Sequence, residues 1–249
     1  MYYWANKQER SNAAIKHTRD MQSRFATEIK DAITATKVYS IDSDFSKGFG
    51  EKTPKLIVEV SDSVKAITDY SVDGKIAVLN FASYRNPGGG FIKGSSAQEE
   101  CLCHDSFLYN VLHSNTLSEF YEYNELHLNG GLYSNRALYT PRVYFESANK
   151  FIDVITCASP NWSYASRNCT MEENKAALRD RVKFIINVAE DNNVDLFIVG
   201  AFGCGVFKQD ATYVANCFKE NLGKSTITTV VFPIPDEYNF RKMHDVLVK

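Results

Sequence analysis

The sequence predicts an α/β protein: a three-layer α/β/α sandwich around a mixed, mostly parallel central sheet. Three observations carry this. Short Val/Ile/Leu-rich runs alternate with longer segments of helical spacing, the pattern of strand–helix units. One run, Lys75–Phe81 (KIAVLNF), is apolar on successive rather than alternate residues, as a parallel strand covered on both faces must be. Two runs, Lys75–Phe81 and Val194–Val199, pass directly into glycine-rich loops and then helices. Ligand sites of α/β sheets lie at such carboxyl ends.

The elements follow in order. Asn6–Lys37 reads as one long helix or two, with Ile15, Met21, Phe25, Ile29 and Ile33 as an apolar stripe among charges. Ile41–Thr53 is polar with Gly48 and Gly50, so a loop. Leu56–Val60 is a strand, after which Ser61 or Asp62 caps a short helix to about Tyr70. Asp73-Gly74 turns the chain into Lys75–Phe81, a spacing that makes a parallel, right-handed crossover. Asn86-Pro87-Gly88-Gly89-Gly90 stops regular structure, and a helix follows over Gln98–Leu112, with Leu102, Phe107, Leu108, Val111 and Leu112 on one face.

Ser114–Gly131 holds a second short helix around Phe120, Tyr121 and Tyr123. Arg142–Glu146 and Phe151–Ala158 are strands joined by a turn, and Pro160–Tyr164 then forms a loop at a carboxyl end. Met171–Glu190 is a helix whose inner face is Ala176, Ala177, Val182, Ile185, Ile186 and Ala189. Val194–Val199 is a buried strand, Gly200–Phe207 a second glycine loop, and Gln209–Leu222 its helix. Thr226–Phe232 is the last strand and Asp236–Val248 a terminal helix. Residues 1–50 form a helical extension packed on the core, and 51–249 the main domain.

Composition narrows the function. With 249 residues the chain can bury a full core without staples. The net charge of −2 gives no global field toward nucleic acid or membrane, so a polyanion would need a local site. No apolar run is long enough to span a membrane. A polar, charged N-terminus and six cysteines at 101, 103, 157, 169, 204 and 217 suggest reduced thiols in the cytoplasm. Cys101-Leu102-Cys103-His104 lacks the spacing and second pair of a zinc site. Neither a metal nor a cofactor is expected.

The chemistry concentrates at Gly88-Gly89-Gly90, seven residues, then Gln98-Glu99-Glu100. Three glycines let backbone lie close against a ligand. Carboxylates at a helix start by themselves only complement the dipole. Together the two resemble the signature of poly(ADP-ribose) glycohydrolase. The surrounding LNFASYRNPGGGF and AQEECLCHDSFLY resemble the microbial-type branch of that family, whose catalytic module is a macrodomain preceded by helices.

The resemblance implies hydrolysis of the ribose–ribose O-glycosidic bond of poly(ADP-ribose), releasing ADP-ribose. ADP-ribosylated proteins are implied as substrates, no membrane is involved, and a monomer is expected. It makes Glu100 the catalyst, with a carboxyl raised by burial, and Glu99 the residue that orients the ribose. Adjacent helical residues diverge by about a third of a turn, so one catalyst and one anchor suit them better than an acid–base pair. The resemblance further implies substrate contacts from Asn80, Asn86, Gly88, Gly89, Gly90 and Gln98. The second loop, Gly203, Cys204, Gly205, Val206 and Phe207, is similar to the family's diphosphate loop; Phe207 packs either on the distal ribose or in the core. For adenine, an acid near Ser61–Asp62 or the ring of Phe232 is available. A hydrolase for single ADP-ribose marks and a non-catalytic ADP-ribose reader are the alternatives.

Overall fold

The computed structural model describes residues 6–45, 50 and 53–248; Gly48 of the polar loop and residues 1–5 of the N-terminal extension lie outside them. Two helices come first, α1 (Lys7–Arg24) and α2 (Ala26–Ala35), parted at Phe25. Asn6 and Glu9 form a reciprocal capping box at the start of α1. Met21 and Ile29 are buried as the stripe predicts, but Ile15 is exposed and Ala14 takes its place.

Strand β1 (Lys37–Tyr39) follows, then β2 (Lys55–Glu59), helix α3 (Ser63–Asp69) and β3 (Ile76–Phe81). Asp62 is the α3 cap, its Oδ1 accepting from Val64 and Lys65 N–H at 3.0 Å. Val60 falls just past β2 and is exposed. The predicted Gln98–Leu112 helix is two, α4 (Gln98–Asp105) and α5 (Leu108–Leu112). Ser106 breaks it by bridging to Phe145, while its hydroxyl donates to Leu102 O and accepts from Leu108 N; a serine offers backbone groups that alternative.

Next come α6 (Ser118–Leu126) and the hairpin β4 (Ala137–Phe145) and β5 (Lys150–Cys157). β4 starts five residues before the predicted strand and contains a bulge between Thr140 and Val143. One turn, α7 (Trp162–Ala165), precedes α8 (Met171–Asp191). The buried face of α8 includes Leu178, Val182, Ile185 and Ala189, while Ala176 is exposed and Ala177 half-buried. The chain ends β6 (Leu196–Ile198), α9 (Ala211–Asn221), β7 (Thr229–Pro233) and α10 (Glu237–Leu247).

The seven strands run β1-β4-β5-β3-β6-β7-β2. The four pairs from β5 to β2 are parallel and the two at the β1 end antiparallel. Strand alternation splits β3 between two cores. Ala77 and Leu79 pack with α8, α9 and α10; Val78 packs with α1 to α6. Those clusters are the outer layers of the sandwich.

Connectivity positions the site. β3 leads into α4 on one face, whereas its neighbour β6 leads into α9 on the other. The chain therefore diverges between adjacent carboxyl ends, opening a crevice there. The extension braces that crevice: Arg10 Nε donates to Gly94 O at 2.8 Å and Ser11 Oγ to Ile92 O at 2.6 Å.

Candidate active site

Gln98 fixes the start of α4 to the end of β3. Its Oε1 accepts from Phe81 N at 2.8 Å, and its Nε2 donates to Leu79 O at 2.8 Å and Ser63 Oγ at 3.1 Å. Every polar atom of the amide is used on protein, so its work is to hold α4 in register with the strand.

Glu99 and Glu100 are 3% and 5% exposed. Glu99 Oε2 accepts from Ser83 N at 2.7 Å and Oε1 from Asn80 Nδ2 at 3.2 Å. Burial, helped by the charge of Glu100, pushes the Glu99 carboxyl up to about 8 against those hydrogen bonds. A raised carboxyl at the first glutamate is one the sequence reading did not foresee. Glu100 Oε1 accepts from Gly90 N at 2.7 Å, and its Oε2 is buried with no hydrogen-bond partner.

The two side chains do not diverge as helical geometry alone suggests. Both close on Gly89: a Cβ there would stand 2.5 Å from Glu100 Oε1 and 2.8 Å from Glu99 Oε2. Gly88 and Gly89 have φ of 67° and 60°, a conformation glycine takes freely. That bend folds the loop back over the first turn of α4.

Both glycine loops line one cavity of about 530 Å³. Asn86, Gly89, Gly90, Gln98, Glu99 and Glu100 form one wall; Gly203, Cys204, Gly205, Val206 and Phe207 form another. Gly203 turns at φ 77° with its Cα against Ser159. Phe207 is half-buried and meets Tyr133 edge-on at 6.2 Å, so it belongs to the cavity rim and not the core. Cys204 sits in the loop with a thiol that burial raises to about 12, leaving it protonated and unreactive.

Two predicted contacts fall off the wall. Asn80 is fully buried behind Glu99, its Nδ2 shared with Thr156 Oγ1 at 3.3 Å. Gly88 is buried against the Tyr109 ring. Of the adenine candidates, Asp62 lines the cavity, whereas Phe232 is fully buried against Phe218 and unavailable. The sequence reading missed the floor made by Pro233, Ile234, Pro235 and Asp236 at the end of β7. Two prolines straddling Ile234 were the available signal: the first closes β7, and the pair marks where the ladder must end. It also missed the Ser83 N–H, a backbone donor with no side-chain signature. Among the described residues, no group of three or more His, Cys, Asp or Glu could hold a metal, and no helix is long and apolar enough to cross a membrane.

A family model described as microbial-type PARG, catalytic domain, matches residues 8–146. Among solved structures, a poly(ADP-ribose) glycohydrolase from Thermomonospora curvata bound to the inhibitor ADP-HPD superposes with a TM-score of 0.84 at 24% identity, covering 96% of this chain and 99% of that one. A Deinococcus radiodurans poly(ADP-ribose) glycohydrolase in complex with ADP-ribose gives 0.79 at 24% identity, covering 89% and 98%. At these identities the superpositions speak for the fold. No curated protein matches.

Proposed function

We propose that this chain, which belongs to the microbial-type PARG catalytic-domain family, is a glycohydrolase that cleaves the ribose–ribose O-glycosidic bond of poly(ADP-ribose) and releases ADP-ribose. The observation that carries the residue roles is the unpaired Oε2 of Glu100 in a cavity shared with the second glycine loop. A buried oxygen without a partner is unfavourable by about 1–3 kcal/mol. A substrate oxygen presented to it removes that penalty.

In this reading Gly90 N–H pins one Glu100 oxygen and the other faces the reacting bond. Glu100 gives its proton to the departing 2′-oxygen as the anomeric C–O bond breaks. The resulting carboxylate then takes a proton from water as that water adds to the oxocarbenium-like carbon, which restores the acid. Glu99 orients the ribose hydroxyls. With its carboxyl near 8 it holds a proton at neutral pH, so it can donate as well as accept. N–H groups of Gly203–Phe207 receive the diphosphate, and Phe207, backed by Tyr133, packs against the distal ribose.

Asn80 and Gly88 then act from behind the wall, Gln98 braces it from within through its bonds to β3, and Asn86, Gly89 and Gly90 face the ligand from it. Residues 1–50 serve as the extension that steadies the triple-glycine loop, and 51–249 as the macrodomain. The test is Glu100→Gln. The variant should bind ADP-ribose with the affinity of the parent in calorimetry and lose polymer cleavage by at least about 10³-fold, in line with loss of general acid–base assistance. A cleaving Glu100→Gln enzyme would overturn these roles.

A further inference from the structure

A second cavity, of about 600 Å³, opens behind the phosphate loop. It shares Cys204, Gly205, Asp236 and Asn239 with the catalytic cavity, so the two meet along a common wall. Its volume suits a nucleotide. Three lysines from separate elements reach it: Lys175 of α8, Lys208 of the loop and Lys242 of α10. Three aromatic residues, Trp162, Tyr213 and Tyr238, line it with them.

The charge there is not self-cancelled. Asp210 Oδ1 and Asp236 Oδ1 accept helix N–H groups from Tyr213 and Asn239, and Asp210 Oδ2 pairs with Lys242 Nζ at 3.0 Å. Lys175 and Lys208 have no ion pair among the described residues. Lys175 lies 5.6 Å from the Tyr213 ring centre, and Lys242 lies 4.7 Å from that of Tyr238, whose residue is 66% exposed. The open Tyr238 ring, the half-buried Tyr213 ring and the two lysines without ion pairs, Lys175 and Lys208, lie along one cleft, a combination that suits a stacked base with phosphates nearby. In a chain of net charge −2, this patch is local and not the edge of a general basic surface.

Resting on the glycohydrolase reading above, we propose that this cleft holds a further ADP-ribose unit of the polymer whose reacting unit occupies the catalytic cavity. Continuity favours the polymer over a separate strand. A chain with one unit across Gly205 presents its next unit to the cleft at high effective concentration.

The experiment compares the parent with the double variant Lys175→Gln/Lys208→Gln and with Tyr238→Ser, an exposed side chain whose removal leaves the core intact. Two substrates are used: long poly(ADP-ribose), and a single ADP-ribose unit bearing a fluorogenic aryl leaving group at C1″. The double variant should raise KM for the polymer about ten-fold with kcat unchanged, and leave the single-unit substrate within about two-fold. Its log KM against log salt slope should fall by about 1.4, because a single strand contributes roughly 0.7 per phosphate contact. Tyr238→Ser should raise polymer KM about five-fold or more.

Unchanged polymer KM and salt slope would overturn the proposal. Equal losses on both substrates would also do so, by locating the damage in the catalytic cavity. Inhibition of the parent by oligoadenylate RNA at concentrations near the polymer KM, abolished in the double variant, would assign the cleft to RNA instead. Should the parent cleave neither substrate, the catalytic reading fails alone, and equilibrium binding of polymer to parent and double variant still decides the cleft.

Discussion

Gly89→Ala should separate catalysis from folding more cleanly than any change at the glutamates. Gly89 sits at φ 60°, where an L-residue costs roughly 1–2 kcal/mol. In a chain of this size that lowers Tm by about 2–8 °C. The added methyl would point between the two carboxyls, 2.5 Å from Glu100 Oε1 and 2.8 Å from Glu99 Oε2. Real contacts of this kind stay beyond about 3 Å, so Glu100 Oε1 must withdraw by about half an ångström and Glu99 Oε2 by about 0.2 Å. Flexible side chains can do so with little loss of stability, but the Gly90 N–H bond to Glu100, 2.7 Å long, cannot survive unchanged. Misplacing a catalytic group by about 1 Å costs about 10²-fold in rate. A shift of about half that size leads us to expect a folded protein with a modestly lower Tm and polymer cleavage reduced by about ten-fold, followed by ADP-ribose release and scanning calorimetry. Gly223→Ala is the control: its φ is not positive and no atom lies within 4 Å of its Cβ, so Tm and kcat should match the parent. Gly89→Ala with parental kcat would refute the convergence of the two glutamates on this residue as a condition of activity.

Three further outcomes follow from the same geometry. Glu99 is protonated more readily in the folded protein, near 8, than at its ordinary 4.5, so the native state holds the extra proton between those values. Stability from this group is then complete below about pH 4.5 and declines as pH rises to about 8, by up to about 1.4 kcal/mol per pH unit; Glu99→Gln should flatten that slope in urea titrations at stepped pH, and an identical slope in parent and variant would contradict the burial. Gln98→Leu orphans Phe81 N and Leu79 O, each costing roughly 1–3 kcal/mol; chemical denaturation should show a loss of at least about 2 kcal/mol, and a neutral result would remove Gln98 from its bracing role. Ser11→Ala breaks the 2.6 Å bond to Ile92 O beyond the triple-glycine loop, so amide exchange over Phe91–Gly94 should quicken while the sheet stays protected; uniform exchange would mean that α1 does not brace the loop.

Much of this was legible because the chain repeats one device. β3 and β6 are short apolar runs whose carboxyl ends lead into glycine-bearing loops, and a helix with apolar spacing follows each loop. The parallel sheet, the crevice and the shared cavity all follow. Local pattern failed where distant partners decide. β1 is three residues with only Tyr39 buried, and it is a strand because β4 pairs with it. Ser106 ends α4 because Phe145 offers it a bridge. Ala176 and Ala177 have the composition of a core face, but Leu178 and Arg181 set the rotation of α8. The buried Arg181 donates to Asn135 Oδ1 at 2.7 Å and to the carbonyls of Ala158 and Leu132, a demand no apolar period records.

The run Gln98-Glu99-Glu100 shows how three polar residues at a helix start divide their work. α4 has no side-chain N-cap, since Ala97 stands in that position. Gln98 supplies the anchorage a cap would give, by binding the N–H and C=O of β3 itself. With the first turn fixed, each helical step of about 100° sends the next side chain to a different donor: Glu99 to Ser83 N–H, Glu100 to Gly90 N–H. Both donors lie in the loop that leaves β3, so strand, loop and helix close into one ring of hydrogen bonds. Within that ring Gln98 is satisfied on all sides and Glu99 has a donor on each oxygen. Of these three side chains, Glu100 keeps an oxygen with none. A protein stable enough to carry that deficit in its interior holds it ready for a ligand, and the position of the deficit, more than the count of carboxylates, is what the proposed role of Glu100 at the scissile bond rests on.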